Sequence, residues 1–257
     1  MANRQRELQT MLQSLRLPTM AQLYADLALK SAKEGLSHEA FLYELARLEW
    51  ERRNQQRIER LLAQSGLPRE KTFATFQLDR LPMPMRGQIE RLRSGEFVKE
   101  ATNVVAVGPP GVGKSHLLAA VAHDLVQQGY SVLWTPTAQL MQRLLAAKRD
   151  LHLPQELAKL HRYACLVLDD IGYVQHDQDE MEVLFTLLSD RYEQRSVCLS
   201  TNLVFSEWER IFKNPLTTVA AIDRVVHHSV LLDMMQVLSF RVQQASGQQA
   251  PKANVGS

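Results

Sequence analysis

The fold is decided by one stretch of the sequence, Gly108-Pro109-Pro110-Gly111-Val112-Gly113-Lys114-Ser115. It matches the pattern G-x-x-x-x-G-K-[ST] at every fixed position. The apolar run 103–107 precedes it as a strand would, and the apolar run 117–126 follows it as a helix would. Glycines let backbone N–H groups turn inward around phosphate oxygens, and a helix N-terminus adds partial positive charge there. This context favours a nucleotide phosphate-binding loop over a glycine turn that happens to hold a lysine.

The loop predicts ATP and Mg²⁺ as ligands. We expect Lys114 to reach the β- and γ-phosphates and the Ser115 hydroxyl to bind Mg²⁺. The residues predicted to contact the nucleotide are Gly108, Pro109, Pro110, Gly111, Val112, Gly113, Lys114, Ser115 and His116.

Two further apolar runs end in polar residues. The run 165–169 ends in Asp169 and is followed by Asp170, and the run 197–201 is followed by Asn202. We expect Asp169 to hold Mg²⁺, Asp170 to polarise the attacking water and Asn202 to orient it. The alternatives are an ordinary turn at the aspartates and a helix-capping or turn signal at Ser-Thr-Asn.

Strands alternate with helices after residue 101, which predicts an α/β domain whose parallel sheet has helices on both faces. The predicted strands are 103–107, 131–135, 165–169, 197–201 and 230–232, with 237–242 as a candidate edge strand. The predicted division is a helical domain at 1–66, a connector at 67–100, an ATPase domain at 101–243 and a disordered tail at 244–257.

The first 66 residues show helical spacing without strands. The apolar pattern predicts one helix through 8–15, a second over 20–33 and a third that runs from a cap at Ser37 to residue 64. A short basic helix is expected at 88–94. On the third helix Arg53, Arg57 and Arg60 share one face, where they are candidates for DNA contact.

Composition favours a cytoplasmic protein. No apolar run approaches the ~20 residues that cross a bilayer, and the polar start is unlike a secretory signal. Cys165 and Cys198 are expected to be reduced thiols in buried strands. The eight histidines and two cysteines show no zinc-ligand spacing. Residues 47–99 carry 12 Lys/Arg against 7 Asp/Glu, a surplus that suits phosphates but is also common on solvated helices.

Several segments beyond the three strand ends are distinctive, namely 15–21, 46–62, 72–76, 94–98, 168–173, 200–202, 205–208 and 222–228. With these, the sequence resembles the AAA+ ATPases and, within them, the IstB proteins. Those are the ATP-dependent helpers of insertion-sequence transposases, related to the DnaC helicase loaders and the DnaA initiators. The resemblance covers nearly the whole chain, and its most particular parts are Phe205-Ser206-Glu207-Trp208 and Asp223-Arg224-Val225-Val226-His227-His228.

The resemblance implies roles for residues at matching positions. Arg224 matches the arginine that reaches the γ-phosphate of a neighbouring subunit, which would place ATP sites at the junctions of a homo-oligomer. The alternative is an ordinary surface salt bridge by Asp223 and Arg224. Arg191 and Arg195 are weaker candidates for the same role. The aromatic residues Phe73 and Phe76 correspond to the segment that lies against adenine, or else are core contacts of the connector.

The segment 137–163 resembles the extra helix that lines the DNA-facing surface in initiators and helicase loaders. Its cations outnumber its two acidic residues, so they are candidates for DNA contact, against a solvated amphipathic helix; they are Arg143, Lys148, Arg149, Lys159 and Arg162.

Two departures from the AAA+ pattern stand out. Too little chain remains after Leu232 for the usual C-terminal helical lid, which leaves open whether Arg241 replaces the lid's sensor arginine. Asp170 stands where the general pattern has glutamate. DnaA-like relatives also have aspartate at this position, and the shorter side chain is consistent with slow basal hydrolysis.

The expected function is ATP-dependent regulation of transposition: subunits assemble on duplex DNA, present it to a cognate transposase, and hydrolyse ATP to release or reset the complex. The rivals are a helicase loader, a small-molecule kinase that uses the same loop, and a nucleotide-gated clamp that does not hydrolyse ATP. The sequence does not predict the subunit number or the target preference.

Overall fold

The computed structural model describes residues 2–173, 178–209 and 215–240. The chain divides into two compact units, Met1–Arg60 and the part from Leu61 onward. The division falls inside the third helix, a few residues before the boundary predicted at residue 66, and the predicted connector 67–100 belongs to the second unit. The predicted tail at 244–257 lies outside the described residues.

The first unit is helical. Its helices are α1 (Ala2–Ser14), α2 (Pro18–Glu34) and α3 (His38–Ser65). Gly35 ends α2 in the left-handed conformation with φ of 65°, as a C-terminal glycine does. Ser37 Oγ accepts a 3.1 Å hydrogen bond from Ala40 N, which confirms the predicted cap.

The buried carboxylate of Glu49 joins α3 to the start of α2. It accepts hydrogen bonds from Thr19 N at 2.8 Å and Met20 N at 3.0 Å. Burial acts to raise the pKa of Glu49, but these N–H groups and the Arg53 guanidinium outweigh it and lower that pKa. The carboxylate thus satisfies N–H groups that the first turn of α2 leaves without partners.

The second unit begins with the end of α3 and two connector helices, α4 (Met83–Arg93) and α5 (Glu96–Lys99). The predicted basic helix at 88–94 starts too late, because Pro82 at the cap and Pro84 in the first turn suit a helix start. Arg93 Nε donates to Asp124 Oδ2 at 2.7 Å, which fixes α4 against α6 (Lys114–Gln127).

A five-stranded parallel sheet forms the centre of the second unit, as predicted. Its strands are β1 (Asn103–Val107), β2 (Val132–Pro136), β3 (Cys165–Asp169), β4 (Ser196–Thr201) and β5 (Ser229–Asp233), in the order β2-β3-β4-β1-β5. Val107 pairs with Thr201, and Leu168 with Leu199. Because β4 lies between β1 and β3, the carboxyl ends of these three strands meet at one edge.

Helices cover the sheet. Among the described residues the remaining α-helices are α7 (Thr137–Arg149), α8 (Leu153–His161), α9 (Gln178–Arg191) and α10 (Pro215–Val226). Side chains of these four helices form one apolar core, into which β1 sends Val105 and Val107. Helix α6 packs across β1, β2, β3 and β4. Every residue of β1 is buried, as expected for a central strand covered on both faces.

Two expectations concern the interior and the end of the described chain. Cys165 and Cys198 are buried free thiols in β3 and β4, as predicted, with their Sγ atoms 3.5 Å apart. The candidate edge strand at 237–242 does not form in its described part, since residues 237–240 contain no strand. Residues 241 and 242 lie outside the described chain, as does any role of Arg241. None of the described helices combines the length and apolar character that a membrane span requires.

Candidate nucleotide-binding site

The phosphate-binding loop joins β1 to α6 and depends on its glycines. Gly111 and Gly113 have φ of 83° and 104°, values that residues with a side chain rarely adopt. Gly113 is the residue from which α6 begins. At Gly108 a Cβ atom would lie 2.9 Å from the backbone carbonyl of Met234, just after β5. The loop therefore has this shape only with glycine at these positions.

Lys114 directs its ammonium group into the loop. Its Nζ donates to Gly108 O at 2.7 Å and to Pro109 O at 3.0 Å, and only 9% of the residue is exposed. The backbone N–H groups of the first turn of α6 lie next to this charge, so the loop is a site for a multiply charged anion.

A cavity of about 450 Å³ lies against the loop. The phosphate loop and α6 supply one wall, with Gly111, Val112, Gly113, Lys114, Ser115 and His116. The connector and the segment after β5 supply the opposite side, with Lys71, Thr75, Phe76, Gln77, Arg80, Leu81, Val237 and Phe240. The aspartates Asp169 and Asp170 complete the lining. The phosphate loop and the aspartates thus give one part of the cavity both cationic and acidic groups, and the other part combines apolar side chains with Lys71 and Arg80.

Of the two predicted aromatic residues, only Phe76 lines the cavity. Its ring meets the His116 ring edge to face at 5.1 Å, and one ring atom would lie 3.2 Å from a Cβ at Gly113. His116 Nε2 lies 3.1 Å from Thr72 O, so α6 holds the connector segment that carries Phe76. Phe73 instead packs under the Arg93 guanidinium at 4.6 Å.

Ser200 organises the two aspartates. Its Oγ donates to Asp169 Oδ1 at 2.7 Å and accepts from Asp170 N at 2.8 Å. Thr137 Oγ1 donates to Asp169 O at 3.0 Å from the start of α7. A side chain of β4 thereby fixes both carboxylate-bearing residues at the end of β3.

Asp170 has an unusual backbone conformation and a raised pKa. Its φ of 61° is left-handed, a conformation that aspartate tolerates better than most residues. Burial, and then the charge of Asp169, raise the pKa of Asp170, although Lys114 and the Gly172 N–H act against this. Its Oδ1 is buried and has no hydrogen-bond partner among the described residues. A buried carboxylate oxygen of this kind, with a raised pKa in a cleft, makes Asp170 a candidate for proton transfer.

Asn202 lies beside the same turn. A Cβ at Gly172 would come within 2.1 Å of Asn202 Oδ1, so only glycine lets the amide approach there. Asn202 Oδ1 is also buried without a partner among the described residues. The structure therefore brings Asn202 to the turn after Asp170, although Asn202 does not line the cavity.

The oxygen groups at this edge fit a magnesium ion. Ser115 and Asp169 both line the cavity, and hydroxyl and carboxylate oxygens are the ligands that Mg²⁺ prefers, with water completing its shell. When bound, Mg²⁺ would neutralise charge on the phosphate oxygens.

Arg224 lies beside the amino end of β1, whereas the phosphate loop follows its carboxyl end. It is in the last turn of α10, where its guanidinium stacks on Phe185 at 4.7 Å and donates to Ala220 O at 3.0 Å. Its backbone O accepts from Asn103 Nδ2 at 3.2 Å, and Asn103 is the first residue of β1. The loop follows the last residue of β1, about 16 Å away at about 3.3 Å per residue. Arg224 is therefore remote from the cavity of its own chain.

Arg191 is not a residue that can reach another subunit, so that candidate is wrong. It is 1% exposed and donates to the carbonyl oxygens of Leu160, Tyr163 and Ser196 at 3.0 Å. Burial lowers its pKa to about 10. Its role is to satisfy strand and helix ends in the interior. Arg195, four residues later, is exposed.

Most of the candidate DNA-contacting cations have partners, and Arg162 is exposed. Arg143 pairs with Glu156, Lys148 with Asp179 and Glu182 at 2.8 Å, Arg149 with Asp150 at 3.1 Å, and Lys159 with Glu156 at 3.0 Å. In the first unit Arg53 pairs with Glu49 at 2.8 Å, and Arg60 donates to Gln56 O at 3.2 Å. Arg57 also has an interaction partner. Acidic partners in α8, in α9 and just after α7 offset much of the positive charge of the segment 137–163.

Sequence reasoning missed residues whose roles depend on the fold. Ser200 was passed over in favour of Asn202, and Gly172 was not assigned a role. The wall formed by Arg80, Val237 and Phe240 was also missed: Arg80 donates to Leu238 O at 2.8 Å, and Phe240 N donates to Gly111 O at 3.0 Å. No local pattern marks these contacts, since Arg80 and Leu238 lie 158 residues apart.

The sheet order, the loop after β1, the acidic end of β3 and the polar end of β4 together define a P-loop protein of the AAA+ class. The family described as IstB-like ATP binding protein matches residues 10–248, and the chain belongs to that family.

Relatives agree with this assignment. An insertion sequence ATP-binding protein of Sinorhizobium fredii is 42% identical over 232 residues, which cover 90% of this chain and 78% of the relative. Among solved structures, the DnaC helicase loader aligns with a TM-score of 0.53 at 19% identity, over 64% of this chain and 97% of that one. AMPPCP-bound DnaA from Aquifex aeolicus aligns with a TM-score of 0.54 at 16% identity, over 72% and 56%. At these identities the two structures support the shared fold alone.

Proposed function

We propose that the protein is an ATPase that assembles on duplex DNA and presents it to the transposase of an insertion sequence. The observation that carries this proposal is the placement of Arg224 at the sheet edge opposite the phosphate loop. An arginine that serves an ATP site from there must serve the site of a neighbouring subunit. Assembly and hydrolysis would then be coupled, because neither chain alone holds a complete site. The names of the insertion-sequence relatives support the connection to transposition.

In this proposal the residues around the cavity carry out phosphoryl transfer to water. Lys114 and the loop N–H groups bind the phosphates, while Asn202, which does not line the cavity, packs against Gly172 and supports the turn that carries Asp170. Asp170 accepts a proton from the attacking water as its oxygen bonds to the γ-phosphorus. The bond from the γ-phosphorus to its bridging oxygen breaks, and ADP and phosphate leave.

The rate of ATP hydrolysis should fall as the pH is lowered. The fall should begin at a higher pH than the ordinary pKa of an aspartate would give. The reason is that Asp170 must be ionised to accept the proton and its pKa is raised. Asp170→Asn should lower the hydrolysis rate about 10²–10⁴-fold and remove that acid limb, while ATP affinity stays nearly unchanged. Phosphate release and equilibrium binding of a fluorescent ATP analogue, each measured across pH, would check this.

A fold control accompanies the Asp170 variant. Since the native fold disfavours the ionised form of Asp170, its charge costs stability at neutral pH, and Asp170→Asn should not lower the melting temperature. A variant that melts earlier and binds ATP poorly would show damage to the fold instead. Unchanged hydrolysis in a well-folded variant would remove Asp170 from the mechanism.

DNA contact is expected to be tolerant of sequence and made to phosphates. The basic surplus over 47–99 supports this, and the cations of α7 and α8 would have to exchange their carboxylate partners for phosphates. ATP hydrolysis and sedimentation should be measured with and without double-stranded DNA at several salt concentrations. Large complexes that need ATP and DNA together, and that dissociate as salt rises, are the expected result. A monomer whose turnover ignores DNA would overturn the proposal and favour a small-molecule kinase.

A helicase loader is the second candidate, favoured by the fold shared with the DnaC helicase loader. The two candidates differ in the partner of the helical first unit. Co-precipitation with an insertion-sequence transposase, and separately with a replicative helicase, distinguishes them. Capture of the helicase alone would favour loading.

A further inference from the structure

The ends of α9 and α10 bring together three side chains that the proposed nucleotide chemistry does not use. Ligand atoms of Glu193, His227 and His228 all lie within 4.8 Å of one another, and all three residues are exposed. Within 2–173, 178–209 and 215–240 this is the one group of three or more such side chains placed to hold a metal ion. Ligand spacing along the sequence does not point to this group, because Glu193 precedes His227 by more than thirty residues.

The backbone fixes these residues. Glu193 has a left-handed φ of 55°, a conformation that costs energy for glutamate and turns the chain just after α9. His227 N donates to Asp223 O at 2.9 Å, and His228 O accepts from Asn103 N at 2.7 Å. The two imidazole rings meet edge to face at 4.4 Å. The positions of the three side chains are thus set by α9, α10 and β1 together.

The distances suit a tetrahedral ion. His228 Nε2 lies 3.2 Å from Glu193 Oε1, and zinc bonds of about 2.0–2.1 Å place two tetrahedral ligand atoms about 3.3 Å apart. His227 is exposed, and its ligand atom lies within 4.8 Å of those of Glu193 and His228. Tyr192 OH lies 3.4 Å from His227 Nδ1, which leaves Nε2 as the ligand and holds the ring from behind, as an outer-shell partner does.

We propose that Glu193, His227 and His228 bind one Zn²⁺ per chain, with water as the fourth ligand. Two imidazoles and one carboxylate form a ligand set that zinc prefers, whereas Mg²⁺ prefers the oxygen groups of the nucleotide cavity. None of the three residues lines that cavity. The ion would link the end of α9 to the end of α10, the helix that carries Arg224.

Zinc titration of the full chain tests this site. Binding is measured in competition with a chromophoric chelator, and the ligand geometry by the visible absorption of Co²⁺ in place of Zn²⁺. The test variant is Glu193→Gln combined with His228→Gln, two changes on the surface. His161→Gln is the matched control, because it removes a histidine that pairs with Asp190 at 3.2 Å elsewhere. Asp169→Asn tests whether zinc binds at the nucleotide site instead, because it removes a carboxylate of that site.

The wild type, His161→Gln and Asp169→Asn should each bind one Zn²⁺, give the tetrahedral Co²⁺ band and melt at a higher temperature with zinc. The double variant should bind at least about a hundredfold more weakly, as expected when two of three ligands are lost. Its circular dichroism and ATP binding should stay unchanged. Wild-type protein that binds zinc only at millimolar concentration, or a double variant that binds as tightly as the wild type, would overturn the site. Neither result bears on the ATPase proposal.

Discussion

Lys114→Ala should abolish measurable ATP hydrolysis and weaken ATP binding by at least tenfold. The Lys114 ammonium already lies inside the loop, where it donates to Gly108 O and Pro109 O. A hydrogen bond from a charged group contributes about 1.5–3 kcal/mol, and each 1.4 kcal/mol changes affinity about tenfold. Losing a positive charge that acts on the transferred phosphoryl group should also lower kcat by about 10²–10³. Phosphate release and equilibrium ATP binding measure the two effects separately.

The matched control for this variant is Lys99→Ala, which removes an exposed lysine at the end of α5. It should bind and hydrolyse ATP like the wild type. Lys114→Ala with normal hydrolysis would refute the assignment of the loop. A wild-type chain that binds ATP yet releases no phosphate, even with DNA and transposase present, would favour the nucleotide-gated clamp.

The parts of the site that the sequence predicts are those defined by local pattern. Phosphate loops need glycine, lysine and serine at fixed spacing between a strand and a helix, so Gly108 and Lys114 are recognisable without a structure. Asp169 is recognisable because it ends an apolar strand. The alternation of strands and helices predicts a parallel sheet, and the five strands form close to their expected bounds.

The parts that the sequence did not predict depend on contacts between distant segments. Arginine is usually exposed, and only the fold shows that four carbonyl oxygens accept hydrogen bonds from the buried Arg191 guanidinium. Ser200 holds both aspartates because β4 is inserted between β1 and β3. The apolar wall at Phe240 exists because the chain turns back over the loop after β5. Neither spacing nor composition encodes these relations.

Arg224→Ala should abolish the stimulation of ATP hydrolysis by assembly, a loss of about 10³–10⁵ in kcat for an arginine supplied by a neighbouring subunit. ATP binding should stay near the wild-type value, because Arg224 lies at the opposite edge of the sheet from the cavity of its own chain. Arg224→Lys should recover little activity, since an ammonium lacks the planar fork of donors and the stacking on Phe185. Arg195→Ala tests the weaker candidate for this role, an exposed arginine after α9, and should retain stimulation.

Mixing two inactive variants separates action in trans from action within one chain. Lys114→Ala has a defective ATP site but still carries Arg224, while Arg224→Ala has an intact site and no arginine to offer. If Arg224 serves a neighbour, mixed assemblies contain junctions where an intact site faces an intact arginine, and hydrolysis should return in part. The recovered rate should be highest near equal amounts of the two variants. A mixture as inactive as its components, under conditions where sedimentation shows that the two variants co-assemble, would mean that Arg224 acts within its own chain or only stabilises α10 against α9.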